Sequence, residues 1–309
     1  MSDKICIVGC GKVGASAGFA LAVSGIADEI VFIDELPDKA RGEALDIADS
    51  CVMTKTAVRD GTYADIKDSA VIVFAAGVGR KPGESRFDLA VKNAAITRSV
   101  AESIKPHYTS GVILAVTNPV DVVTYIMDDI LRLPKGRVVG TGTSLDAARL
   151  TDKIAKYFNA DKTDVDVCVL GEHGDSAVPV WSLTTIKGTP VAEFAKAARR
   201  PWDATARQNL FNDMKTAGAE IIAMKGATFY GVATCIVKIC REILQSTNAR
   251  LHLSAKLNGE YGIRDTAVSL SATIGRDGLK GFLTPPLNKD ELALLRESAG
   301  KVEAEIRKL

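Results

Sequence analysis

The chain has 309 residues, of which 47% are hydrophobic, enough to fill one large core or two fused ones. The 39 basic and 38 acidic residues nearly cancel, and no run of lysine or arginine is long enough to hold a nucleic acid or an anionic membrane. No apolar segment has the length of a membrane span, and the first residues do not resemble a targeting leader. We therefore expect a cytoplasmic protein that acts on a small molecule.

The six cysteines are scattered, and none forms a Cys-x-x-Cys pair. Neither a zinc site nor a disulfide framework is indicated by that spacing. We expect the cysteines to be small core residues and the protein to hold no metal.

The first predicted elements are a strand, a glycine-rich turn and a helix. The run from Lys4 to Val8 is rich in β-branched residues, which is typical of a buried parallel strand. It is followed by Gly9-Cys10-Gly11-Lys12-Val13-Gly14 and by an Ala/Leu-rich helix that ends at Gly25. A Gly-x-Gly-x-x-Gly motif between a strand and a helix predicts a dinucleotide site, because its backbone N–H groups can approach a pyrophosphate. Taken alone the motif is a weak signal, since glycine turns are common.

An acidic residue at the end of the second predicted strand strengthens this interpretation. The strand Ile30 to Ile33 ends at Asp34, twenty residues beyond Gly14. A carboxylate there can accept the hydroxyls of an adenosine ribose and repel a 2′-phosphate, which favours NAD over NADP. The alternative is that Asp34 is only a helix cap or a loop residue.

Strands and helices continue to alternate after Asp34. In the first half we predict helices over 38–50, 87–105 and 120–130, and strands over 71–76, 112–116 and 137–140. In the second half we predict helices over 143–158, 204–245 and 288–308, and strands from 165 and near 256–257 and 267–274. The pattern indicates an α/β fold with a doubly wound parallel (Rossmann) sheet over residues 1–142 and a second, mixed α/β substrate domain over 143–309.

Several polar side chains are predicted at the carboxyl edge of this sheet, where ligands of such folds bind. The loop Gly77 to Arg86 has glycines near both ends and carries Arg80 and Arg86, so it is a candidate lid, or else a solvated charged turn. Asn118 follows the strand over 112–116 and either contacts cofactor and substrate or caps the next helix.

One histidine is placed to exchange a proton. His173 follows the apolar run Val165 to Leu170, and an imidazole titrates nearer neutrality than any other side chain. The alternative is a histidine satisfied by backbone partners at a strand end. Asp146 and Arg149 are three residues apart on one helix and share a face, although such a spacing is usually a surface ion pair.

Five motifs in the correct order make the chain resemble the L-lactate/L-malate dehydrogenase family from end to end. They are the glycine motif with Asp34, Arg80-Lys81-Pro82-Gly83-Glu84-Ser85-Arg86, Thr117-Asn118-Pro119-Val120-Asp121, Leu145-Asp146-Ala147-Ala148-Arg149 and Gly171-Glu172-His173-Gly174-Asp175.

The resemblance implies a role for each candidate residue. His173 is the proton relay, Asp146 orients it, Arg149 grips the substrate carboxylate and Arg86 polarises the reacting carbonyl. Asn118 contacts both ligands and Thr228 borders the substrate pocket. The residues implied at the NAD site are Gly9, Gly11, Lys12, Val13, Gly14, Asp34, Asn93, Val116 and Asn118. Homodimers or homotetramers are implied as well.

The substrate expectation depends on Arg80. In this family the first lid position reads the far end of the substrate, and arginine there is typical of malate enzymes. A buried guanidinium facing the methyl group of pyruvate is left unpaired, whereas oxaloacetate offers it a second carboxylate. We therefore expect a malate dehydrogenase acting on a 2-oxo dicarboxylate, with L-lactate dehydrogenase or a broader 2-hydroxy acid dehydrogenase as the alternative. Glu84-Ser85-Arg86 and Gly226-Ala227-Thr228 favour that alternative.

Two rival functions come from other classes. An NAD-dependent glycosidase can share the cofactor domain, but it needs a metal site, which the cysteine and histidine spacing does not provide. A nucleotide sensor without catalysis has no need for the set Asp146, Arg149 and His173.

Overall fold

The computed structural model describes residues 3–79 and 83–309, which form helices on both faces of one large sheet. Its strands are β1 (Lys4–Val8), β2 (Glu29–Ile33), β3 (Ala57–Asp60), β4 (Val71–Phe74), β5 (Val112–Ala115), β6 (Val138–Gly140), β7 (Val165–Asp166), β8 (Val169–Leu170), β9 (Val178–Pro179), β10 (Thr185–Ile186), β11 (Thr189–Pro190), β12 (Leu251–Asn258), β13 (Arg264–Gly275) and β14 (Gly278–Phe282). Its α-helices are α1 (Lys12–Ser24), α2 (Pro37–Asp49), α3 (Arg86–Ile104), α4 (Val120–Leu131), α5 (Ser144–Phe158), α6 (Val191–Ala197), α7 (Ala204–Lys225), α8 (Tyr230–Gln245) and α9 (Lys289–Ile306).

The first six strands form a parallel sheet in the order β3-β2-β1-β4-β5-β6. Strand β1 pairs with β2 on one side and with β4 on the other, so Ile5 lies opposite both Ile30 and Val71. The strand order reverses between these two neighbours, and ligands of doubly wound sheets bind at the carboxyl ends of the strands flanking such a reversal. The predicted Rossmann fold is confirmed.

The sheet does not end with the first half of the chain. Strand β12 pairs antiparallel with β6, where Ser254 lies opposite Gly140, and β13 and β14 extend the sheet to nine strands. A Cβ atom at Gly140 would lie 2.3 Å from Thr124 Oγ1, so glycine is needed where α4 crosses this joint. This continuation of the sheet was not predicted, because strand pairing between distant segments leaves no local signal in the sequence. The division of the chain at residue 143 stays a prediction.

The core lies on both faces of the parallel strands. Ile5 and Ile7 of β1 face one side, where α1 and α8 pack, and Cys6 and Val8 face the other side with residues of α3 and α4. All four side chains are at most 2% exposed. Successive residues of a strand point to opposite faces, so an uninterrupted apolar strand needs a cover on each face. This explains why the β1 sequence does not alternate with polar residues.

The segment predicted as one helix over 204–245 is two helices. Helix α7 ends at Lys225 because Gly226 adopts a left-handed conformation with φ 82°, and α8 starts at Tyr230. Glycine accepts that conformation without the steric penalty of a Cβ atom, which is why it commonly follows a helix end. The segment 226–229 between the two helices carries Thr228.

The closing helix α9 starts as predicted. Asn288 Oδ1 accepts a hydrogen bond from the Glu291 N–H at 2.9 Å, and the Glu291 carboxylate accepts one in return from the Asn288 N–H. Across the described ranges of the chain, no helix combines the length and the hydropathy needed to cross a membrane.

Candidate active site

The glycine turn after β1 forms a cradle at the N-terminus of α1. A Cβ atom at Gly9, where φ is 100°, would lie 2.4 Å from Ala76 N, and one at Gly14 would lie 1.9 Å from Gly9 O. Close packing of the backbone therefore demands both glycines. Gly11 is different, because a Cβ atom there would meet no heavy atom within 4 Å. The open space beside Gly11 is on the side where a ligand can approach the backbone.

The N-terminus of α1 is prepared for an anion. Gly11 is the N-cap, so no side chain caps the first N–H groups, and no acidic residue lies in the first turn. Uncapped N–H groups and the positive end of the helix dipole bind phosphate groups. Lys12 is exposed and Val13 is half-buried in this first turn. The residues present therefore fit the pyrophosphate of a dinucleotide.

Asp34 lies at the end of β2, beside the cradle. Its Oδ2 accepts the Cys10 N–H at 2.7 Å, its Oδ1 accepts the Leu36 N–H at 3.1 Å, and Lys39 Nζ lies 3.7 Å from Oδ2. The carboxylate therefore links the glycine turn to the end of the second strand. This agrees with the alternative given for Asp34, that of a loop residue.

Asn93 and Asn118 connect the ends of β4 and β5. Asn93 is 1% exposed; its Oδ1 accepts the Val78 N–H at 2.9 Å, and its Nδ2 donates to Val78 O at 3.1 Å and to Asn118 O at 2.7 Å. The polar atoms of Asn93 are thus engaged with backbone groups. The Asn118 side chain is exposed, and the Asn118–Pro119 peptide bond is cis. Val116 is buried behind it, with 7% of its surface exposed.

His173 is paired with Asp146 inside the protein. Its Nδ1 lies 2.5 Å from Asp146 Oδ2, and the two side chains are 20% and 7% exposed. Burial alone would lower the pKa of His173, but the charge and hydrogen bond of Asp146, helped by the charge of Asp121, outweigh it and raise the pKa above the usual 6.5. The second proton of the imidazolium is then on Nε2, the ring nitrogen that does not contact Asp146. This pairing is the arrangement expected of a general acid near neutral pH.

Arg149 lies on the same helix as Asp146 but does not pair with it. Among the ion pairs of residues 3–79 and 83–309, none joins these two side chains. The Arg149 guanidinium instead lies near Gly218 of α7, where a Cβ atom would be 3.3 Å from its Nη2, and its charge opposes protonation of His173. The surface ion pair considered from the spacing is therefore not observed. Arg149 is close to the imidazole and available to an anionic ligand.

The other two arginine candidates, Arg80 and Arg86, belong to the segment predicted as a lid. Arg86 begins α3, and its Nη2 lies 2.9 Å from Asp175 Oδ2, with both side chains about 60% exposed (59% and 62%). Asp175 follows His173 by two residues, so Arg86 is held at the rim of the same loop. Arg80 falls outside the described residues.

Thr228 is half-buried between α7 and α8. The start of α8 packs on α5, since a Cβ atom at Gly231 would lie 2.9 Å from Leu145 Cδ1. This packing brings the segment that carries Thr228 toward the helix of Asp146 and Arg149. The residues proposed for the substrate thus come from α3, α5, the loop after β8 and the segment before α8.

Asp121 is a polar residue of this region whose role was not predicted from the sequence. It lies in the first turn of α4, is 2% exposed, and its Oδ2 accepts the His173 N–H at 2.7 Å. Burial raises the pKa of its carboxyl group to about 7, although Ser254 and His173 act in the opposite direction. The available signal was an acidic residue between Val120 and Val122 in an apolar helix. Within the ranges that the structure describes, no cluster of histidine, cysteine or acidic side chains is arranged to hold a metal.

A glycine turn at an uncapped helix N-terminus, together with a buried histidine–carboxylate pair, is typical of NAD-dependent oxidoreductases that exchange a proton with their substrate. Residues 3–140 match the lactate/malate dehydrogenase NAD-binding domain, and residues 143–309 match the lactate/malate dehydrogenase alpha/beta C-terminal domain. The chain belongs to the lactate/malate dehydrogenase family. The predicted family and the NAD cofactor are confirmed.

Three similar proteins are L-lactate dehydrogenases. The chain is 38% identical over 308 residues to the L-lactate dehydrogenase of Thermoanaerobacter pseudethanolicus, covering 99% of both chains. It is 39% identical over 302 residues to the L-lactate dehydrogenase of Lacticaseibacillus casei, covering 97% of this chain and 92% of that protein. The ligand-bound crystal structure of the minor L-lactate dehydrogenase of Enterococcus mundtii superposes with a TM-score of 0.95 at 36% identity, covering 100% of this chain and 98% of that one.

The malate expectation is wrong, and these relatives overturn it. It was based on the penalty for an unpaired guanidinium at Arg80, and that penalty is large only where the guanidinium is buried against the substrate. Burial of a side chain in a loop is a tertiary property that its sequence position does not supply. The lactate-like residues around it, Glu84-Ser85-Arg86 and Gly226-Ala227-Thr228, were the better guide.

Proposed function

We propose that the protein is an NAD-dependent L-lactate dehydrogenase that interconverts pyruvate and L-lactate. Support for the substrate comes from relatives of that name that are similar over nearly the whole chain. Support for the chemistry comes mainly from one observation, the 2.5 Å contact between His173 Nδ1 and Asp146 Oδ2 in a buried site next to Arg149. Reducing a 2-oxo acid requires a proton donor of this kind beside an anion-binding group.

His173 performs the proton transfer in this proposal. The protonated imidazole donates its Nε2 proton to the carbonyl oxygen of pyruvate as that oxygen becomes an alkoxide, and it returns to the neutral form. NADH, when bound, supplies the hydride that adds to the carbonyl carbon. Asp146 keeps Nδ1 protonated and stabilises the imidazolium before the transfer. In lactate oxidation the neutral imidazole takes the hydroxyl proton instead.

Two arginines orient the substrate. The Arg149 guanidinium binds the pyruvate carboxylate through two parallel hydrogen bonds, which fixes the direction of the carbonyl group. Arg86 polarises the carbonyl oxygen after it leaves Asp175, and this exchange costs little because both side chains are more than half exposed. Asn118 contacts cofactor and substrate, and Thr228 borders the methyl end of pyruvate.

The cofactor is held by residues that follow strands β1, β2, β4 and β5. Backbone N–H groups of Gly11, Lys12 and Val13 would hold the pyrophosphate, and the Asp34 carboxylate would accept hydrogen bonds from the ribose hydroxyls. Gly9 and Gly14 serve by allowing the turn to pack. Val116 lines the nicotinamide side, and Asn93 acts there by holding the backbone of Val78 and Asn118.

The test compares kcat/KM for pyruvate and for oxaloacetate with NADH. We expect pyruvate to be preferred at least about tenfold. A preference for oxaloacetate contradicts the proposal. His173→Asn is expected to lower turnover about 10²–10⁴-fold without loss of NADH binding. His107→Asn removes a half-buried histidine of the turn after α3 and is the matched control.

We also infer that the protein assembles as a homodimer or homotetramer. Helix α2 and the turn after it expose large apolar side chains, namely Leu45 (61%), Val52 (87%) and Met53 (91%). Adjacent exposed residues of this kind commonly mark a protein interface. Sedimentation equilibrium of the wild type and of Val52→Lys tests the inference, and a wild type that sediments as a monomer overturns it.

A further inference from the structure

Asp121 is a buried carboxylate in an apolar setting. It follows the cis Asn118–Pro119 bond at the start of α4, and its neighbours Val120, Val122 and Val123 are at most 1% exposed. A carboxyl group in such a place loses its hydration and destabilises the fold unless it is bonded or paired. The question is what the carboxylate does there.

Three successive residues of the loop that carries His173 are each anchored by a separate hydrogen bond. Gly171 forms a backbone bridge to Ser269 of β13, the Glu172 N–H donates to Ser298 Oγ of α9 at 2.8 Å, and the His173 N–H donates to Asp121 Oδ2 at 2.7 Å. Three successive residues are thus tied to three different elements. The last tie joins the histidine itself to α4.

His173 is therefore held by two carboxylates at two points. Asp146 of α5 contacts the ring at Nδ1, and Asp121 of α4 accepts the main-chain N–H. The ring contact alone leaves the imidazole free to move with its backbone. The second contact removes that freedom, because helix α4 is packed into the sheet through buried valines.

The Asp121 carboxylate also acts on the His173 imidazole electrostatically. Asp121 Oδ1 has no hydrogen-bond partner within residues 3–79 and 83–309, and Ser254 Oγ also has none, although the hydroxyl is close enough to lower the pKa of Asp121. The charged groups that act on Asp121 are His173, which favours its ionised form, and Glu172, which opposes it. Those that act on His173 are Asp146 and Asp121, which favour the imidazolium, and Arg149, which opposes it.

We propose that Asp121 is a positioning residue for His173: it fixes the main chain of the histidine and, in its ionised form, stabilises the imidazolium that donates the proton. This inference rests on the proposed function for the reaction, but not for the titration of His173. Its location in the first turn of α4 favours the ionised carboxylate, since the helix N-terminus carries partial positive charge. A carboxylate that only capped the loop would serve equally well as an amide.

Asp121→Asn separates these two roles. The side-chain amide oxygen can still accept the His173 N–H, so the tie to the loop is kept and only the charge is lost. We expect the pH midpoint of the His173 imidazole, followed by NMR of the cofactor-free protein, to fall by about one unit. With three histidines in the chain, the imidazole signals can be assigned with single variants. Asp128→Asn, two turns later on the same helix and facing Lys256, is the control that leaves the midpoint in place.

Enzyme kinetics give a second readout. Pyruvate reduction needs the protonated imidazole, so kcat/KM falls as pH rises through the pKa of His173. In Asp121→Asn this fall is expected at a pH lower by about one unit, while kcat at low pH stays within about twofold of wild type. A merely structural role predicts lower activity at every pH and an unmoved midpoint, and an unmoved midpoint overturns the proposal.

The two readouts also separate this inference from the proposed function. If the wild type fails to reduce pyruvate, the proposed function fails, and the NMR midpoint still decides the role of Asp121. If Asp121→Asn does not fold, Asp121→Thr replaces it. The threonine hydroxyl can still accept the His173 N–H but carries no charge, so the His173 midpoint is again expected to fall. An unchanged midpoint in Asp121→Thr counts against the proposal in the same way.

Discussion

Replacing Asp146 with asparagine removes the charge that opposes the burial of the His173 imidazolium. The two side chains are 20% and 7% exposed and their contacting atoms are 2.5 Å apart. For charges centred about 4 Å apart at an effective dielectric constant of about 20, the attraction is about 4 kcal/mol, which corresponds to about three pKa units. Burial and Arg149 remain and act in the opposite direction. We expect the pKa of His173 in Asp146→Asn to fall by about two to three units, below the usual 6.5.

The assay is the pH dependence of kcat/KM for pyruvate reduction from about pH 5 to about pH 9. At pH 7 the variant is expected to lose about 10²-fold or more, because few of its molecules carry the proton, and to recover activity toward acid pH. Asp152→Asn is the matched control, since Asp152 lies on the same helix and pairs with Lys156 and Lys162 away from the site. A variant that keeps the wild-type profile would refute the reasoning.

Two further predictions concern the cradle and a buried histidine. Gly11→Ala is expected to leave thermal unfolding of the cofactor-free protein nearly unchanged and to weaken NADH binding at least about tenfold. Gly14→Ala is expected to destabilise the fold by about 3 kcal/mol, because its Cβ atom would lie 1.9 Å from Gly9 O. Unfolding of Gly11→Ala at a lower temperature than wild type would contradict the first expectation. Burial, followed by the charges of Arg250 and Lys238, lowers the pKa of His252 to about 3, so the stability due to its neutral form is complete above pH 6.5 and is lost as pH falls toward 3. The free energy of unfolding, measured with urea, is expected to fall between pH 6.5 and about pH 5 by about 2 kcal/mol less in His252→Gln than in wild type. An equal fall in both proteins would refute the assignment.

Local features were predicted well from the sequence. The glycine spacing, the strand that precedes it and the start of the last helix at about residue 288 depend on residues a few positions apart, and the structure shows each of them. The break between α7 and α8 was not predicted, because a glycine in a helical pattern can lie inside a helix or at its end. Its left-handed φ of 82° settles which of the two occurs.

Contacts between distant segments were not predictable in the same way. The tie between Asp121 and His173 joins residues 52 positions apart, and the pairing of β12 with β6 joins the two halves of the chain. Asn93 was assigned to the nicotinamide side by resemblance, whereas its contacts with the backbone appear only in the folded chain. The error over the substrate has the same origin, because it assumed the burial of Arg80.

The continuous sheet restricts how the two halves of the chain can move relative to each other. Strand β12 from the second half is hydrogen-bonded to β6 from the first, and α8 packs against α1, the helix that begins at the glycine cradle. Rotation of one half against the other would break both contacts. These two contacts therefore oppose any change in the spacing between the glycine cradle and His173. Substitutions at the rim of the site, near Arg86, are expected to leave that spacing unaltered.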